Sequence, residues 1–282
     1  YDINAPDYVK VYSTSVPGGL PTNTVTPTAS ELKFTTYRLD SAVDFDKRYA
    51  AKSRLDVVGK SFTRVAQEVL LKQESTSANL ILGSLADATT NGNAHTIAAA
   101  GSTLILDDFN KLLTLAKRIN TAWTGGTPES RIKGVTDLIM SPEAVEGLRA
   151  MAYNPVNTTQ ATAGQTSIPA TDEMRNAIYK NAGIPEFYGI SIMEINELGQ
   201  NQKFTKVWNA AKGSANTDLV IGLDRSRESL FRAVALDAES GSEFTLLADD
   251  QYSVRQQKIG YYGSIEEGRM VLDNRVLTGI TL

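Results

Sequence analysis

Leu55, Val58, Phe62, Val65 and Val69 recur at steps of three and four, the spacing that gathers apolar side chains on one side of an α-helix. The stripe blurs through residues 72–79 and returns at Leu80, Ile81, Leu82 and Leu85. A continuous helix over about 55–86 would hold roughly 30 residues and run about 45 Å. That is well beyond the usual three or four turns, so the segment reads as a structural spine. Gly59 and Gly83 weaken it, which leaves a break near Ser75 open. A chain built on such a rod must supply apolar surface along its whole length.

Candidate partners lie on both sides. In residues 31–46, Leu32 and Phe34 alternate with polar residues, and after a slip Tyr37, Leu39, Val43 and Phe45 resume the alternation. Period-two patterning of this kind predicts strands, arranged as a hairpin-like excursion. Residues 107–123 predict a second helix. Asp107 or Asp108 serves as its N-cap, Phe109, Leu112, Leu113, Ala116, Ile119 and Trp123 form one face, and Gly125–Gly126 stop it. A buried strand is expected over 135–140. Ser141 and Pro142 then supply the cap and first position of a helix over 143–151. Residues 150–171 carry no charge and read as a long polar loop, after which Thr171 or Asp172 caps a short helix ending near Gly183. Strands are expected over 188–195, 219–223, 230–236, 244–247, 252–259 and 270–282. Helices come early and strands late, without βαβ alternation, so the fold class is α+β. No internal repeat is visible.

The first 30 residues differ in kind. They hold only three charges (Asp2, Asp7, Lys10) but four of the nine prolines, Pro6, Pro17, Pro21 and Pro27. Without apolar periodicity such a stretch cannot bury enough surface to fold alone, and it reads either as an extended arm ordered by a partner or as a disordered tail. The chain opens on Tyr1, from which an N-terminal piece is expected to have been removed or left out.

Composition excludes several chemistries. The chain has no cysteine and one histidine, so disulfides, thiolate metal sites, cysteine nucleophiles and His-rich zinc sites are ruled out or difficult to build. A net charge of −4 argues against a protein that lives by phosphate contacts. No apolar run approaches the roughly 20 residues of a membrane-spanning helix, and no secretory leader is seen. Nucleotide-binding, nucleophile-elbow and zinc-helix motifs are all missing. Four adjacent carboxylate pairs remain: Asp107 and Asp108, Asp172 and Glu173, Asp249 and Asp250, Glu266 and Glu267. The first two suit helix N-termini and the last two suit turns, and no third ligand is indicated beside any of them. His95, among Asn93, Ala94 and Thr96, reads as a surface or loop residue. Asn157 heads a glycosylation-like triplet that has no secretory context. Tyr261 and Tyr262, between Gly260 and Gly263, are either an aromatic contact patch or one buried and one exposed ring of a strand. No catalytic, cofactor or metal residue is therefore assigned.

Three stretches carry a family resemblance. Residues 43–85, VDFDKRYAAKSRLDVVGKSFTRVAQEVLLKQESTSANLILGSL, run from a strand through basic Lys47, Arg48, Lys52 and Arg54 into the long helix. Residues 104–120, LILDDFNKLLTLAKRIN, are followed by DLIMSPEAVEGLRAM at 137–151. The C-terminal stretches at 217–239 and 252–274 look like closing strands. In this order the elements resemble the major capsid proteins of tailed bacteriophages, the Hong Kong 97 fold, which encapsulins and herpesvirus capsid floors share.

The resemblance implies an N-arm at 1–28 and an E-loop at 29–46. It implies a P-domain at 47–129 and 241–282 with its spine helix at about 55–86, and an A-domain at 130–240. It also implies assembly into hexamers and pentamers of an icosahedral shell around double-stranded DNA, touched only weakly and without sequence preference. Portal protein is an implied partner, as scaffolding or decoration proteins can be, and no membrane is. The place of action would be the virion, assembled in the bacterial cytoplasm. Removal of a scaffolding segment by a maturation protease would fit the start at Tyr1. Some relatives cross-link an E-loop lysine, and Lys33 is the only lysine in that stretch, but it has no assignable partner and the chemistry is not carried over. Three rivals stand beside this reading: an encapsulin-type shell, an enzyme using carboxylates near the uncharged loop, and a β-rich tail or adhesion protein. The Pro-rich start disfavours the first. The want of a convergent acidic pair disfavours the second, and the long helix disfavours the third.

Overall fold

The structure, a computed structural model, describes residues 33, 35–48, 57–90, 94–123, 134–151, 176, 186–212, 217–226, 229–236, 241–249 and 257–282. Apart from Asn176, the expected helix after Asp172 lies outside this set, as do residues 152–171 of the uncharged stretch and the first 32 residues. The described elements form two compact units, one of residues 33–80 with 230–272, the other containing 81–229 and 273–282. These boundaries differ from cuts at 129/130 and 240/241, and the 80/81 boundary falls inside the long helix.

That helix, α1, runs unbroken over Val57–Thr90. The blur in its stripe comes from Gln73, which occupies the inward position four after Val69 and is itself buried. The polar run stays helical because its hydroxyls fold back. Thr76 Oγ1 donates to the Lys72 carbonyl and Ser77 Oγ to the Gln73 carbonyl, both at 2.9 Å. No break occurs at Ser75.

In the first unit, β1 (Tyr37–Asp46) is a single strand, and Leu32 and Phe34 of the expected excursion lie outside the described residues. The strand pairs antiparallel along its whole length with β9 (Lys258–Val271), from Tyr37 opposite Glu267 to Asp46 opposite Lys258. The slip after Phe34 is thus where the sheet alternation begins, and the partner is distant in sequence. On the other side of β9 lie β7 (Leu230–Val234) and β8 (Thr245–Asp249), end to end and both antiparallel to it. Odd-numbered residues of β9 face the helix side: Phe62 of α1 meets Tyr261 edge-on at 4.7 Å between ring centres. Tyr37, Leu39, Val43 and Phe45 share that face, and their neighbours Arg38, Asp40 and Asp44 point the other way.

The second unit is built on a six-stranded mixed sheet in the order β2-β10-β6-β3-β5-β4. Its strands are β2 (Thr96–Ala98), β3 (Asp137–Met140), β4 (Glu186–Phe187), β5 (Ile190–Glu194), β6 (Leu219–Leu223) and β10 (Leu277–Thr281). Helices α2 (Leu106–Trp123), α3 (Pro142–Met151) and α4 (Lys203–Lys212) belong to the same unit. Phe109, Leu112 and Ala116 of α2 join Leu138, Met140, Val145, Leu148, Val220 and Ile280 in one buried cluster, the apolar face expected from their spacing. Helix α4 escaped the sequence reading although Phe204, Val207, Trp208 and Ala211 have helical spacing; Phe204 and Trp208 are buried. In α2, Asp107 and Asp108 lie within the first turn, not at the cap, because the helix begins at Leu106. Carboxylates there still complement the exposed N–H groups.

Candidate functional site

The strongest concentration of chemistry centres on Glu267. Sequence reading placed Glu266 and Glu267 in a turn, but they lie inside the 14-residue strand β9. The glycines at 260, 263 and 268 masked its period-two pattern of Ile259, Tyr261, Ile265 and Glu267. Alternation sends the two carboxylates to opposite faces. Glu266 is exposed and accepts from Thr36 Oγ1 at 2.7 Å. Glu267 is fully buried and accepts four hydrogen bonds: Tyr37 Oη at 2.9 Å, Gln73 Nε2 at 3.1 Å, Arg232 Nε at 3.0 Å and Arg269 Nη2 at 3.1 Å.

Strands β1, β7 and β9 and helix α1 therefore meet on one carboxylate. Arg269 also donates to the Gln73 carbonyl at 2.6 Å, and Arg232 reaches Glu243 at 3.3 Å. Burial by itself pushes the Glu267 carboxyl up, but donation from Arg232, Tyr37 and Arg269 outweighs it and holds the group below the ordinary glutamate value. Burial first, then the neighbouring Glu267 carboxylate, push the Tyr37 hydroxyl up. With four donors and no access to solvent, Glu267 is fitted to structure and has no room to handle a substrate proton.

A second buried polar pair, in the other unit, involves Ser141. Ser141 Oγ accepts from the Ala144 amide at 3.0 Å, making it the expected N-cap of α3, and it donates to the Asp218 carboxylate. Asp218 also accepts from the Leu219 amide at 2.7 Å. Burial pushes the Asp218 carboxyl up despite these donors, and nearby Glu143 adds to the rise. Ser141 is wholly buried and committed as a cap, so it is not positioned as a nucleophile.

The remaining sequence candidates do not converge. His95 lies in the loop before β2, as one of the two expected placements had it, but is buried, and its ring Nδ1 donates to the Leu277 carbonyl at 2.9 Å, binding β10 to that loop. Asp107 pairs with Lys111 at 2.6 Å, and the buried Asp108 accepts from the Ala100 amide at 3.2 Å. Asp249 closes β8, while Asp250, Asp172, Glu173 and Asn157 lie outside the described residues. Tyr261 and Tyr262 occupy opposite faces of β9 and are both half-buried, one against Phe62 and the other beneath Arg38. Among the described residues no group of three or more His, Asp or Glu side chains could hold a metal ion, and no helix is long and apolar enough to cross a membrane.

Surface chemistry points elsewhere. Ten large apolar side chains are exposed among the described residues, and eight of them lie in the unit of 33–80 and 230–272: Leu70, Leu71, Leu230, Phe231, Leu236, Leu246, Leu247 and Leu272. Singly exposed leucines are ordinary, but among the described residues this unit leaves most of the large exposed apolar side chains, spread over the helix and both faces of its sheet.

No family model and no curated protein matches the sequence. Solved structures do. The capsid of cyanophage P-SCSP1u is 14% identical, with a TM-score of 0.57 over 97% of this chain and 80% of that chain. The capsid of a native GTA particle is 11% identical, with a TM-score of 0.57 over 98% and 82% of the two chains. The capsid of the Myoviridae phage XM1 is 13% identical, with a TM-score of 0.55 over 96% and 81%. Over nearly its whole length, this α+β chain has the Hong Kong 97-type fold of tailed-phage capsid proteins.

Proposed function

We propose that the chain is the major shell subunit of a tailed-phage head, which self-assembles into hexamers and pentamers of an icosahedral capsid around double-stranded DNA. The likeness in fold to phage capsids across at least 96% of the chain is the observation that carries this reading. That one unit leaves most of the large exposed apolar side chains among the described residues supports it independently, because a shell subunit must leave such surface for its neighbours. The four donors on the buried Glu267 and the capping bond of Ser141 fit a structural protein without chemistry of its own. A net charge of −4 suits a wall that does not hold packaged DNA tightly.

Within this proposal residues 1–28 form the N-arm and 29–46 the E-loop. Residues 47–129 and 241–282 form the P-domain, and 130–240 the A-domain. The site of action is the virion, with portal protein as a partner and scaffolding or decoration proteins as further candidates. Negative-stain microscopy of the purified protein, with nucleic-acid content assayed alongside, tests the reading. Uniform icosahedral shells from the phage-infected host that contain DNA are expected. DNA-free shells holding a protein cargo would replace the phage head with an encapsulin-type compartment, and a chain that stays monomeric at assembly concentrations would refute both.

A further inference from the structure

The sheet of the unit containing residues 33–80 and 230–272 has one face turned away from α1, and that face is divided lengthwise. Along β1 it presents Arg38, Asp40 and Asp44, joined across the pair by Glu266 and Lys258; Arg38 pairs with Asp40 and Lys258 with Asp44 at 2.8 Å. Along β7 and β8 the residues of the same face are Phe231, Ala233, Thr245 and Leu247, with the one charge, Asp249, at the far end of β8. Phe231 stands directly opposite Met270, and Leu247 opposite Tyr262. Phe231 is 43% exposed, Leu247 57% and Leu272, which follows β9, 46%, with Leu236 exposed just beyond β7. Among the described residues nothing pairs with the outer side of β7 or β8.

The geometry points to this β7–β8 margin, with Phe231 and Leu247 as its anchors, as the apolar centre of a contact with a second copy of this chain. The inference rests on the shell reading above and places a seam within it. Half-exposed side chains of these sizes amount to on the order of 400 Å² of apolar surface. A standard interface buries about 800 Å² per partner, somewhat more than half of it apolar, with a polar rim. The margin therefore supplies the apolar part of one such contact, and the charged row along β1 supplies a rim. Met270 and Tyr262, the β9 residues opposite Phe231 and Leu247, are eight steps apart, about 26 Å at roughly 3.3 Å each, a span longer than an isolated pocket.

An unpaired strand margin carrying leucines is also the surface a sheet must cover to remain soluble at high concentration.

The chain has no cysteine, so Phe231→Cys or Leu247→Cys each introduces one unique thiol. Maleimide labelling is followed in assembled particles and in subunits dissociated from them. Labelling at least tenfold slower in particles is expected at both positions. Equal rates in intact particles would overturn the seam while leaving the shell reading in place. A wild-type chain that never self-associates would overturn both. Leu247→Lys supplies a second measurement: a folded subunit, judged by far-ultraviolet circular dichroism, that assembles at the wild-type concentration would also count against the seam.

Discussion

Replacing Glu267 with Gln isolates the charge of the buried cluster. Oε1 accepts from Tyr37, and Oε2 accepts from Gln73, Arg232 and Arg269. A glutamine whose oxygen takes the Oε2 place keeps those three bonds, and its amide donates to the Tyr37 hydroxyl, which can accept. The hydrogen-bond count survives and only the negative charge is lost. Bonds to a charged group contribute about 1.5–3 kcal/mol and neutral ones about 0.5–1.5, so turning the Tyr37 and Gln73 bonds into neutral ones, while both arginines lose their counter-charge, costs about 2 kcal/mol. Arg269, with its side chain only 11% exposed, weighs more in that sum than Arg232 at 39%. Glu267→Leu removes the acceptor altogether and strands both guanidiniums, for about 3–5 kcal/mol. Urea unfolding of dissociated subunits, followed by circular dichroism, should rank wild type above Glu267→Gln and that above Glu267→Leu. At about 2–4 °C per kcal/mol, the glutamine variant also melts roughly 4–8 °C lower. A glutamine variant within about 0.5 kcal/mol of wild type, or a leucine variant more stable than the glutamine one, would refute the reasoning.

The same carboxylate sets a pH dependence. Its folded pKa is depressed, so its stabilisation is present above the ordinary glutamate pKa of about 4.3 and is lost as pH falls through the folded value; acid titration of the unfolding midpoint should show that loss in wild type and a smaller one in Glu267→Gln. Asp218 has the opposite sign: its pKa is raised by burial, so its ionisation costs stability as pH climbs from about 3.9 upward. Asp218→Asn, which keeps the acceptor for the Leu219 amide, should be at least as stable as wild type at pH 7 when measured by denaturant midpoint. Ser141→Ala deletes the cap of α3 and leaves Asp218 without its hydroxyl donor, a loss of about 1–3 kcal/mol in the same measurement, with Ser141→Thr partly restoring it.

The helices were legible because their signals are local. The three-four spacing of Phe62, Val65 and Val69, or of Phe109, Leu112 and Ala116, is complete within a few turns, and Ser141–Pro142 marks a helix start on sequence alone. Helix α4 carried the same kind of signal in Phe204, Val207, Trp208 and Ala211 and could have been found. Strand pairing was not legible, because it joins residues far apart: Tyr37 meets Glu267 and Gly279 meets Thr96. The Glu267 cluster was hidden twice over. Neighbouring glutamates followed by glycine look like a turn, and the four donors that justify burying a carboxylate come from separate segments. The burial of His95 was hidden for the same reason, since its partner is the carbonyl of Leu277, 182 residues on.

That hidden cluster bears directly on where the exposed leucines end up. A sheet slipped by one residue turns every side chain to the opposite face. On β9 such a slip would carry Glu267 to the side away from Gln73 and would separate it from Tyr37 and Arg232, whose positions on β1 and β7 the present register sets opposite Glu267 and Arg269. The same slip would exchange the faces of Met270 and Tyr262, the residues that stand against Phe231 and Leu247. Hydrophobic burial alone does not forbid it, because leucine and phenylalanine occur on both faces of this sheet's margin, Leu230 and Leu246 on one and Phe231 and Leu247 on the other. A buried ion cluster is a poor source of net stability but discriminates strongly between registers, since only one of them satisfies every charge. Glu267 thereby connects the interior to the surface: pairing it with two arginines selects the register, and the register decides which apolar residues face outward.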